Sequence, residues 1–458
     1  MTNKTVILMK KLFGTDGIRG VANQYPMTAE MALRVGRAVV AYFAEAGHYP
    51  GFVIGKDTRL SGDMLEAGIV AGICAAGGKA YLTGVLPTPG VAFVTSALKA
   101  SAGIVISASH NPYHDNGLKI FRGDGHKLSD ETEIEIEKMI LAEDRSAPKL
   151  NSSKLGTVRH HQRAQADYLG FLKNTLSGAK PFEGLKIVLD CSNGATYQIA
   201  PVLFAELGAQ VESLAAQPDG MNINDACGSQ HPEALIQRVL ESRANIGLAF
   251  DGDGDRLIAV DETGHVLTGD HILAICARDM KQQGTLKNNL VVTTVMSNLG
   301  FGIALKQMQI SHEVAQVGDR YVMQKMIASG AVLGGEDSGH MIFADYHTTG
   351  DGMLTALKLI EAMQNERQPL SELCAIMTVF PQVLINVAVD TKPQIETVPE
   401  IIAAIRSAEV SLGEKGRVLV RYSGTQPLCR VMVEGPAEGE TRRICKQIAD
   451  IIKKNIGI

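Results

Sequence analysis

Three aspartates stand at alternate positions in the segment DGDGD. Asp251, Asp253 and Asp255 follow the apolar run 245–250, which has the composition of a buried strand. In extended backbone, residues two apart project to the same side, so the three carboxylates would lie together. Unit charges about 4 Å apart repel by roughly 4 kcal/mol at an effective dielectric near 20, and a divalent cation removes that repulsion. The pattern therefore favours an all-oxygen site for Mg²⁺, Mn²⁺ or Ca²⁺ over a solvated acidic turn.

Calcium is a more specific alternative for this segment. The three aspartates and Glu262 occupy positions 1, 3, 5 and 12 of an EF-hand-like loop. Position 6, however, is Arg256 where that loop needs glycine, and residues 257–260 form a β-like apolar run. These mismatches disfavour a calcium-binding module.

A second unusual segment, SASHNPYHDNG at 107–117, follows the β-forming run 103–106. A serine hydroxyl at the end of a strand can cap a helix or act as a nucleophile, and local reasoning does not choose between Ser107 and Ser109. Together with a three-carboxylate metal site, such a hydroxyl suggests phosphoryl transfer, because the metal can neutralise phosphate oxygens as the group moves.

The segment RYSGTQPLCR at 421–430 is a candidate phosphate receptor between two strands. It combines guanidinium groups, hydroxyls and a glycine amide, all of which suit a dianion. The residues concerned are Arg421, Ser423, Gly424, Thr425 and Arg430. An ordinary hairpin with surface arginines is the alternative.

Two further glycine-flanked segments carry polar groups. In GGEDSGH (334–340), Glu336, Ser338 and His340 suit sugar hydroxyls and proton transfer. In FGTDGIRG (13–20), Arg19 could reach a reacting phosphate, although a structural turn explains that segment nearly as well.

Strand and helix patterns that would position these segments recur three times along the chain. The first unit reads as strand 51–59, helix 61–76, strand 79–86 and strand 102–107. The second reads as strand 185–194, a helix to about 207 and strand 245–250, and the third as strand 289–298, helix 300–308, strand 312–318, helix 319–328 and a final strand within 331–340. Alternation of this kind predicts α/β layers with mostly parallel sheets, whose ligands bind at the strand ends, where these loops fall.

The last 80 residues follow another pattern. From about 381 the order is strand, helix (398–409), two strands (417–422 and 428–435) and a closing helix (439–454), which predicts an α+β domain with an antiparallel pair. The stretch 143–166, with Pro148 and mixed polar residues, resembles a connector. The expected domains are 1–150, 151–262, 263–378 and 379–458.

Composition excludes several classes of protein. The 458 residues include 45% hydrophobic and 20% charged residues, as in a soluble globular protein of roughly three or four domains. A net charge of −5, no Trp and no basic stripe argue against a nucleic-acid partner. No stretch fits a signal peptide or membrane span, and seven cysteines without a CxxC pair fit reduced thiols, so we expect a cytoplasmic protein without a membrane partner.

The sequence resembles the α-D-phosphohexomutases over essentially its whole length. The motifs that carry the resemblance are GTDGIRG, SASHNPYHDNGLK, DGDGDR, GGEDSGH and RYSGTQPLCR, in the family's order and near its spacing. The first two are most similar to the phosphoglucosamine mutase branch. The resemblance implies three similar α/β domains with mixed, largely parallel sheets and a C-terminal α+β domain around a central active-site cleft.

The resemblance also implies roles for individual residues. It identifies Ser109, and not Ser107, as the phosphoserine, whose phosphate joins the three aspartates in binding one Mg²⁺. It implies acid–base roles for Lys119 and His340, with His110, Arg19 and Arg256 beside the reactive centre. The implied sugar and phosphate ligands are Glu336, Ser338, Arg421, Ser423, Gly424, Thr425 and Arg430.

The implied reaction interconverts glucosamine 6-phosphate and glucosamine 1-phosphate through a sugar bisphosphate that turns around in the site. A hexose 1,6-bisphosphate would serve as activator, the product would supply cell-envelope precursors, and the protein would be a monomer or homodimer. Phosphoglucomutase or phosphomannomutase activity is the alternative. Two residues depart from the family pattern: Gln426 stands where Glu is usual, and Asp337 stands where the branch commonly has Gln. Asp337 bears on the substrate more than on the reaction, because it lies between the two sugar-contacting residues.

Overall fold

The computed structural model describes residues 12–44, 50–142, 150–423 and 427–458. The strands within these ranges are β1 (Phe13–Gly14), β2 (Gly17–Val21), β3 (Gly51–Lys56), β4 (Lys79–Val85), β5 (Ala102–Ile106), β6 (Asp115–Arg122), β7 (Thr157–His160), β8 (Lys186–Asp190), β9 (Gln210–Leu214), β10 (Ile246–Phe250), β11 (Leu257–Asp261), β12 (Val266–Leu267), β13 (Leu290–Thr294), β14 (Ser311–Ala315), β15 (Leu333–Gly335), β16 (Met341–Phe343), β17 (Gln382–Ala388), β18 (Arg417–Tyr422) and β19 (Leu428–Glu434).

The α-helices are α1 (Ala29–Phe43), α2 (Gly62–Ala75), α3 (Thr88–Ala97), α4 (Asp130–Leu141), α5 (Ala164–Lys173), α6 (Ile199–Glu206), α7 (Glu233–Ser242), α8 (Gly269–Gln282), α9 (Leu299–Gln307), α10 (Asp319–Ser329), α11 (Gly352–Glu366), α12 (Leu370–Leu373), α13 (Pro399–Leu412) and α14 (Glu438–Ile456). The chain forms two compact units. The first contains residues 1–295 and 313–374, and the second contains 296–312 and 375–458.

Three sheets share one layout, in which a parallel part is extended by antiparallel strands. The seven-stranded sheet has the order β1-β2-β6-β5-β3-β4-β7, with β5, β3, β4 and β7 parallel and β6 antiparallel to β5. The five-stranded sheet has the order β12-β11-β10-β8-β9, with β11 antiparallel to β10. In the sheet ordered β14-β13-β15-β16, β13 and β15 are parallel and β16 returns antiparallel to β15. The expected fold of α/β domains with mixed sheets is therefore confirmed.

This layout places each candidate loop at the same topological point. The loops that carry Ser109, Asp251 and Glu336 each connect the last parallel strand of a sheet to its antiparallel neighbour. All residues of β5 and β10 are buried, because apolar side chains alternate onto both covered faces. The buried ends of β5 and β10 therefore hold the first residues of the Ser109 and Asp251 loops in place.

The expectation that 143–166 is a connector is wrong where strand β7 lies, at Thr157–His160. Strand β7 lies in that stretch and pairs in parallel with β4, with Lys79 opposite Thr157, at the edge of the first sheet. Residues 143–149 lie outside the described residues.

The second unit contains the antiparallel sheet β17-β19-β18, and α13 and α14 contribute to its hydrophobic core. Helix α14 buries an apolar stripe at four-residue spacing, formed by Ile444, Ile448, Ile452 and Ile456. The predicted α+β character of the C-terminal region is confirmed. Among the residues that the structure describes, no helix is both long enough and apolar enough to span a bilayer.

Candidate active site

The loop after β5 gives its two serines different environments. Ser107 Oγ donates to Asp57 Oδ2 (2.6 Å) and accepts from the backbone N–H of Ser109 (2.9 Å), so it is fully used in supporting the loop. Ser109 Oγ instead lies 2.5 Å from Asp251 Oδ2. The backbone of Ser109 has φ = 54°, a left-handed conformation that costs a non-glycine residue about 1 kcal/mol or more. The hydroxyl aimed at the aspartates is therefore that of Ser109.

A buried ion pair holds the strained loop in place. Arg59 pairs with Asp57 (Nε to Oδ2, 2.9 Å) and donates through Nη2 to the carbonyls of Ser109 (2.9 Å) and Asn111 (2.7 Å). Asn224 donates to the same two carbonyls, at 2.9 and 3.0 Å. Sequence reasoning missed these supports, although the segment DTR directly after strand β3 carries a signal for them.

The three aspartates converge, although a turn at 252–254, closed by a hydrogen bond from the Gly254 N–H to the Asp251 carbonyl (3.0 Å), brings them together and not the extended backbone that the spacing suggested. Asp251, Asp253 and Asp255 are at most 4% exposed, and one carboxylate oxygen from each lies within 4.8 Å of the others. Asp253 Oδ2 accepts from Lys119 Nζ (2.7 Å) and from Thr88 Oγ1 (2.5 Å). Within the described ranges, the Oδ1 atoms of Asp253 and Asp255 are buried without a hydrogen-bond partner. Buried, unpaired carboxylate oxygens in an all-oxygen group are the donors that a hard divalent cation takes.

The electrostatics of these carboxylates differ from one to the next. Burial, with repulsion from Asp255 and Asp253, holds the pKa of Asp251 well above its usual range. Burial would also raise the pKa of Asp255, but the charges of Lys119 and His340 hold it well below its usual range. Burial opposes the charge of Lys119, yet Asp16, Asp253 and Asp255 hold the Lys119 pKa well above its usual range. In the free protein Lys119 is therefore an ammonium that partly neutralises the aspartates.

Lys119 and His340 belong to a closed ring of six side chains with alternating charge, which we call the charge ring. In order around the ring, its members are Lys119, Asp16, Lys127, Asp319, His340 and Asp255. Successive N···O separations include 3.1 Å for Lys119–Asp16, 3.5 Å for His340–Asp319 and 3.6 Å for His340–Asp255. The ring joins segments that are up to 324 residues apart, so sequence spacing gave no sign of it.

Lys127 is the cation that connects the two halves of the charge ring. Its Nζ lies 2.5 Å from Asp16 Oδ1 and also contacts Asp319 Oδ2. Asp16 also pairs with Arg19, whose Nη1 donates to the carbonyl of Ala108 at 3.2 Å. The structure thus brings Arg19 beside the Ser109 loop.

His110 and Arg256 border the Ser109 hydroxyl. His110 Nδ1 lies 3.4 Å from Ser109 Oγ and 3.1 Å from Arg256 Nη1. Burial and the neighbouring guanidinium groups of Arg256 and Arg19 lower the pKa of His110 to about 4. At neutral pH this imidazole is uncharged, and Nδ1 is an acceptor for Arg256.

The segment 334–340 places its polar residues in separate settings. Glu336 Oε1 accepts from the N–H of Gly318 (3.0 Å), Ser338 is exposed, and His340 is buried in the charge ring. Asp337 Oδ1 faces the N–H of Asp270 (3.4 Å) at the start of α8. The side chain that departs from the branch pattern therefore makes a contact within the protein.

Arg421, Ser423 and Arg430 lie on the β18–β19 hairpin of the second unit. Arg421 and Arg430 stand directly opposite each other across the antiparallel pair. Burial and the charge of Arg430 lower the pKa of Arg421. Within the part of the chain that the structure describes, neither guanidinium has an acidic partner, and Arg430 Nε is buried without a hydrogen bond. Gly424, Thr425 and Gln426 lie outside the described residues.

The EF-hand alternative is wrong. Residues 257–261 form strand β11, and Glu262, the would-be twelfth ligand, accepts hydrogen bonds from Ser371. A strand at this position carries Glu262 away from the three aspartates, so a single calcium loop does not form.

Four domain models of one family match the chain in order. They are described as Phosphoglucomutase/phosphomannomutase alpha/beta/alpha domain I (residues 10–147), domain II (166–264), domain III (268–380) and the C-terminal domain (384–451). Together they cover most of the 458 residues.

Relatives and solved structures agree with these models. A phosphoglucosamine mutase from Syntrophus aciditrophicus is 58% identical over 451 residues, which is 98% of this chain and 100% of that protein. A phosphoglucomutase/phosphomannomutase family structure from Burkholderia thailandensis has a TM-score of 0.79 at 23% identity and covers 97% of this chain and 99% of its own. The Aspergillus fumigatus N-acetylphosphoglucosamine mutase, solved with GlcNAc-6P and magnesium, has a TM-score of 0.68 at 16% identity, with 97% and 96% covered. At 23% and 16% identity, these two structures support the fold of the chain and not its substrate.

Proposed function

The chain belongs to the phosphoglucomutase/phosphomannomutase family and is an isomerase of the phosphohexomutase type, and from this we propose that it is a phosphoglucosamine mutase. It interconverts glucosamine 6-phosphate and glucosamine 1-phosphate through phosphorylated Ser109 and a bisphosphorylated sugar. The observation that carries this proposal is the 2.5 Å contact between Ser109 Oγ and Asp251 Oδ2 within a buried group of three carboxylates. The proposed domains, 1–150, 151–262, 263–378 and 379–458, follow the order of the four family models.

Mg²⁺ is the cofactor that we assign to the aspartates. Asp251, Asp253 and Asp255 would hold it together with an oxygen of the Ser109 phosphate. The buried Oδ1 atom of Asp253, which has neither a hydrogen bond nor an ion pair among the described residues, supports this assignment, as does the oxygen-only donor set. When bound, the ion supplies electrostatic neutralisation of the phosphoryl oxygens.

The proposed reaction moves a phosphoryl group between Ser109 Oγ and a sugar hydroxyl. The bond between phosphorus and Ser109 Oγ breaks while a bond forms between phosphorus and a sugar hydroxyl oxygen, and the second half of the cycle reverses this at the other sugar position. Ser109 Oγ must gain a proton and the sugar hydroxyl must lose one. Lys119 and His340 are the proton carriers, because both lie within hydrogen-bond or ion-pair distance of the carboxylates around Ser109. His110, neutral and accepting from Arg256, orients the hydroxyl and does not donate a proton.

Two phosphate sites follow from the bisphosphate intermediate. The one at Ser109 performs chemistry, and the other holds the phosphate that is not reacting. Arg421, Ser423 and Arg430, with Gly424 and Thr425, form the holding site in this proposal, supported by two guanidinium groups without an acidic partner in the described residues. Glu336 and Ser338 contact the sugar. Loss of the bisphosphate before the second transfer leaves Ser109 unphosphorylated, so a hexose 1,6-bisphosphate would reactivate the enzyme.

The glucosamine assignment is supported by the name of the 58% identical relative. Asp337, the departure from the branch pattern, faces the N–H of Asp270, which is consistent with a substitution that leaves sugar recognition intact. We further propose that the product feeds UDP-N-acetylglucosamine and cell-wall precursor synthesis in the cytoplasm.

Intact mass spectrometry with peptide mapping tests the phosphoenzyme. We expect one phosphoryl group on Ser109 that is kept through complete cycles with hexosamine phosphate, lost from chains that release the bisphosphate early, and restored by glucose 1,6-bisphosphate. Ser109→Ala should abolish labelling, and Ser107→Ala should retain it. A phosphoryl group on any other residue would overturn the proposed nucleophile.

A comparison of kcat/KM for the phosphates of glucosamine, glucose and mannose tests the substrate. We expect glucosamine to be favoured at least about tenfold, which corresponds to the loss of one good polar contact at the 2-position. A preference for glucose or mannose phosphate would replace the substrate while leaving the mutase chemistry in place.

A further inference from the structure

A second group of potential metal ligands lies at the far end of strand β11. Asp261, His265 and Cys374 each offer one donor atom, and these three atoms lie within 4.8 Å of one another. Asp261 ends β11, and Cys374 directly follows α12. Four residue steps of strand, roughly 13 Å at about 3.3 Å per residue, separate Asp261 from Leu257, which follows the Asp251–Asp255 loop. The group is thus distinct from the proposed active site.

The Asp261 carboxylate is oriented by its own turn. Its Oδ1 accepts three hydrogen bonds, from the N–H and hydroxyl of Thr263 (2.8 and 2.7 Å) and from the N–H of His265 (2.9 Å). Oδ2 is left facing His265 Nδ1 at 3.9 Å. That separation is too long for a hydrogen bond. The hydrogen bonds of the turn therefore occupy Oδ1 and leave Oδ2 available to a ligand.

Hydrogen bonds through Ser371 hold Cys374 next to this turn. Ser371, in α12, donates its hydroxyl to Glu262 Oε1 and its N–H to Glu262 Oε2 (3.4 Å), and the Cys374 thiol donates to the carbonyl of Ser371 (3.0 Å). Glu262 is the first residue of the turn. The thiol is half-buried, and the His265 side chain is 55% exposed, so a cation can reach the group from solvent.

From these contacts we propose that Asp261, His265 and Cys374 form a Zn²⁺ site that fastens the β11–β12 turn to the segment following α12. One thiolate, one carboxylate and one neutral imidazole match the donors and charge of Zn²⁺, with water as a fourth ligand. Bond lengths of about 2.0–2.3 Å place tetrahedral ligands roughly 3.3–3.7 Å apart. The three donor atoms lie within 4.8 Å of one another, with 3.9 Å between Asp261 Oδ2 and His265 Nδ1, so they must move closer together, and the exposed imidazole is free to do so. Binding replaces the S–H bond of Cys374 with a metal–sulfur bond, and the proton leaves to water.

The site discriminates against Mg²⁺. A thiol sulfur is a soft donor that hard cations avoid, whereas the three aspartates of the 251–255 loop offer oxygen alone. Excess Mg²⁺ should therefore occupy that loop and leave Cys374 free to bind a transition metal.

Cobalt substitution tests the site, because a Co²⁺–thiolate bond absorbs in the near ultraviolet. The full chain, stripped of metal and supplied with excess Mg²⁺, is titrated with Co²⁺. We expect a charge-transfer band that saturates at one Co²⁺ per chain and is bleached by Zn²⁺. Cys374→Ser should abolish the band, His265→Ala should weaken Co²⁺ binding at least about tenfold, and Cys74→Ser, which changes another half-buried thiol, should change neither.

Thermal unfolding gives a second measurement. Zn²⁺ that binds only the folded chain raises the Tm of the wild type and of Cys74→Ser, and this increase should disappear in Cys374→Ser and His265→Ala. His265 is exposed on a turn, so its alanine variant keeps the fold. A titration without a near-ultraviolet band, or a band that persists in Cys374→Ser, would overturn the proposed site.

Discussion

The proposed reactive centre and the proposed phosphate-holding hairpin balance their charges in opposite ways. In the charge ring, each buried cation lies between two carboxylates, and Lys119 also contacts Asp253, which is outside the ring. On the hairpin, Arg421 and Arg430 face each other across two strands, with no acidic partner among the described residues. Like charges directly opposite destabilise an antiparallel pair. Neighbouring side chains thus partly neutralise the first region, whereas the two guanidinium groups of the second region have no counter-charge among the described residues.

This difference predicts how each region contributes to turnover. The proposed reactive centre is held by many contacts and lies at the reacting group, so damage there should lower kcat. A pair of uncompensated guanidinium groups should stabilise the substrate phosphate equally in ground and transition states, so damage there should raise KM. Variants in each of the two regions test that division.

Ser109→Ala should lower kcat by at least about 10³-fold, because it removes the proposed nucleophile. Calorimetric binding of glucosamine 6-phosphate should persist within about threefold, since the hairpin is untouched and binding energy lies there. Ser107→Ala is the matched control. It keeps the nucleophile but loses the hydrogen bonds to Asp57 and to the Ser109 N–H, so it should lower stability more than Ser109→Ala. Loss of substrate binding in Ser109→Ala would remove the division between the two regions.

Arg421→Gln should raise KM by about 10- to 100-fold and leave kcat within about threefold. The reason is that a charge-assisted contact to phosphate contributes roughly 1.5–3 kcal/mol to binding. Steady-state kinetics with glucosamine 6-phosphate measure both constants. Arg406→Gln, on the exposed side of α13, should change neither. A fall in kcat with KM unchanged would assign the hairpin a role in chemistry.

Lys127→Met should lower kcat by about tenfold with KM within about twofold. Lys127 contacts no proposed metal ligand, but it links Asp16 to Asp319 and so fixes the relative positions of Lys119 and His340. Lys127→Arg, which keeps a cation, should recover most of the lost activity. Equal losses in both variants would mean that the geometry of the lysine, and not its charge, is required.

Much of the fold was predictable because its signals are local. Apolar runs and turn residues placed most parallel strands of the first three sheets, and they placed the elements of the second unit. The return strand β6 was missed because it begins inside the turn-rich segment 107–117, and β16 because its three residues are too few to show a period. Strand β7 was missed because its four residues are all exposed, and its pairing with β4 is not visible in the sequence.

Some residues of the candidate site could be predicted from the sequence, and others could be found only in the structure. The aspartates were found because their two-residue spacing is itself chemical information, and the choice of Ser109 over Ser107 came from family resemblance. The supports from Asp57, Arg59 and Asn224 were missed, since they become meaningful only when the fold brings Arg59 and Asn224 to the Ser109 carbonyl and Asp57 to Arg59 and Ser107. Asp319 and Lys127 are likewise ordinary in sequence. Their place in the charge ring shows only in their contact with each other, in that of Asp319 with His340 and in that of Lys127 with Asp16.

The smallest predicted effect concerns stability without metal. Burial and the repulsion from Asp255 and Asp253 make ionised Asp251 unfavourable, whereas Lys119 and His340 favour ionised Asp255. In chelator-treated protein, Asp251→Asn should therefore raise the free energy of unfolding by about 1 kcal/mol, after the loss of one hydrogen-bond acceptor is counted. Asp255→Asn, the matched control, should lower it, because it leaves Lys119 and His340 with one carboxylate fewer.

The pH dependence of this pair follows from the raised pKa of Asp251. Protonated Asp251 stabilises the fold at low pH, and that contribution is lost as pH rises through its folded pKa, so the advantage of Asp251→Asn should grow with pH. Mg²⁺ should reverse the order, since a cation bound by all three carboxylates stabilises the wild type by mass action and binds the variant less well. Urea unfolding at two pH values, with and without Mg²⁺, measures all four cases. An Asp251→Asn variant that is less stable than the wild type in chelator at every pH would show that the centre is fully neutralised without metal, and the Mg²⁺ assignment would then lose its electrostatic support.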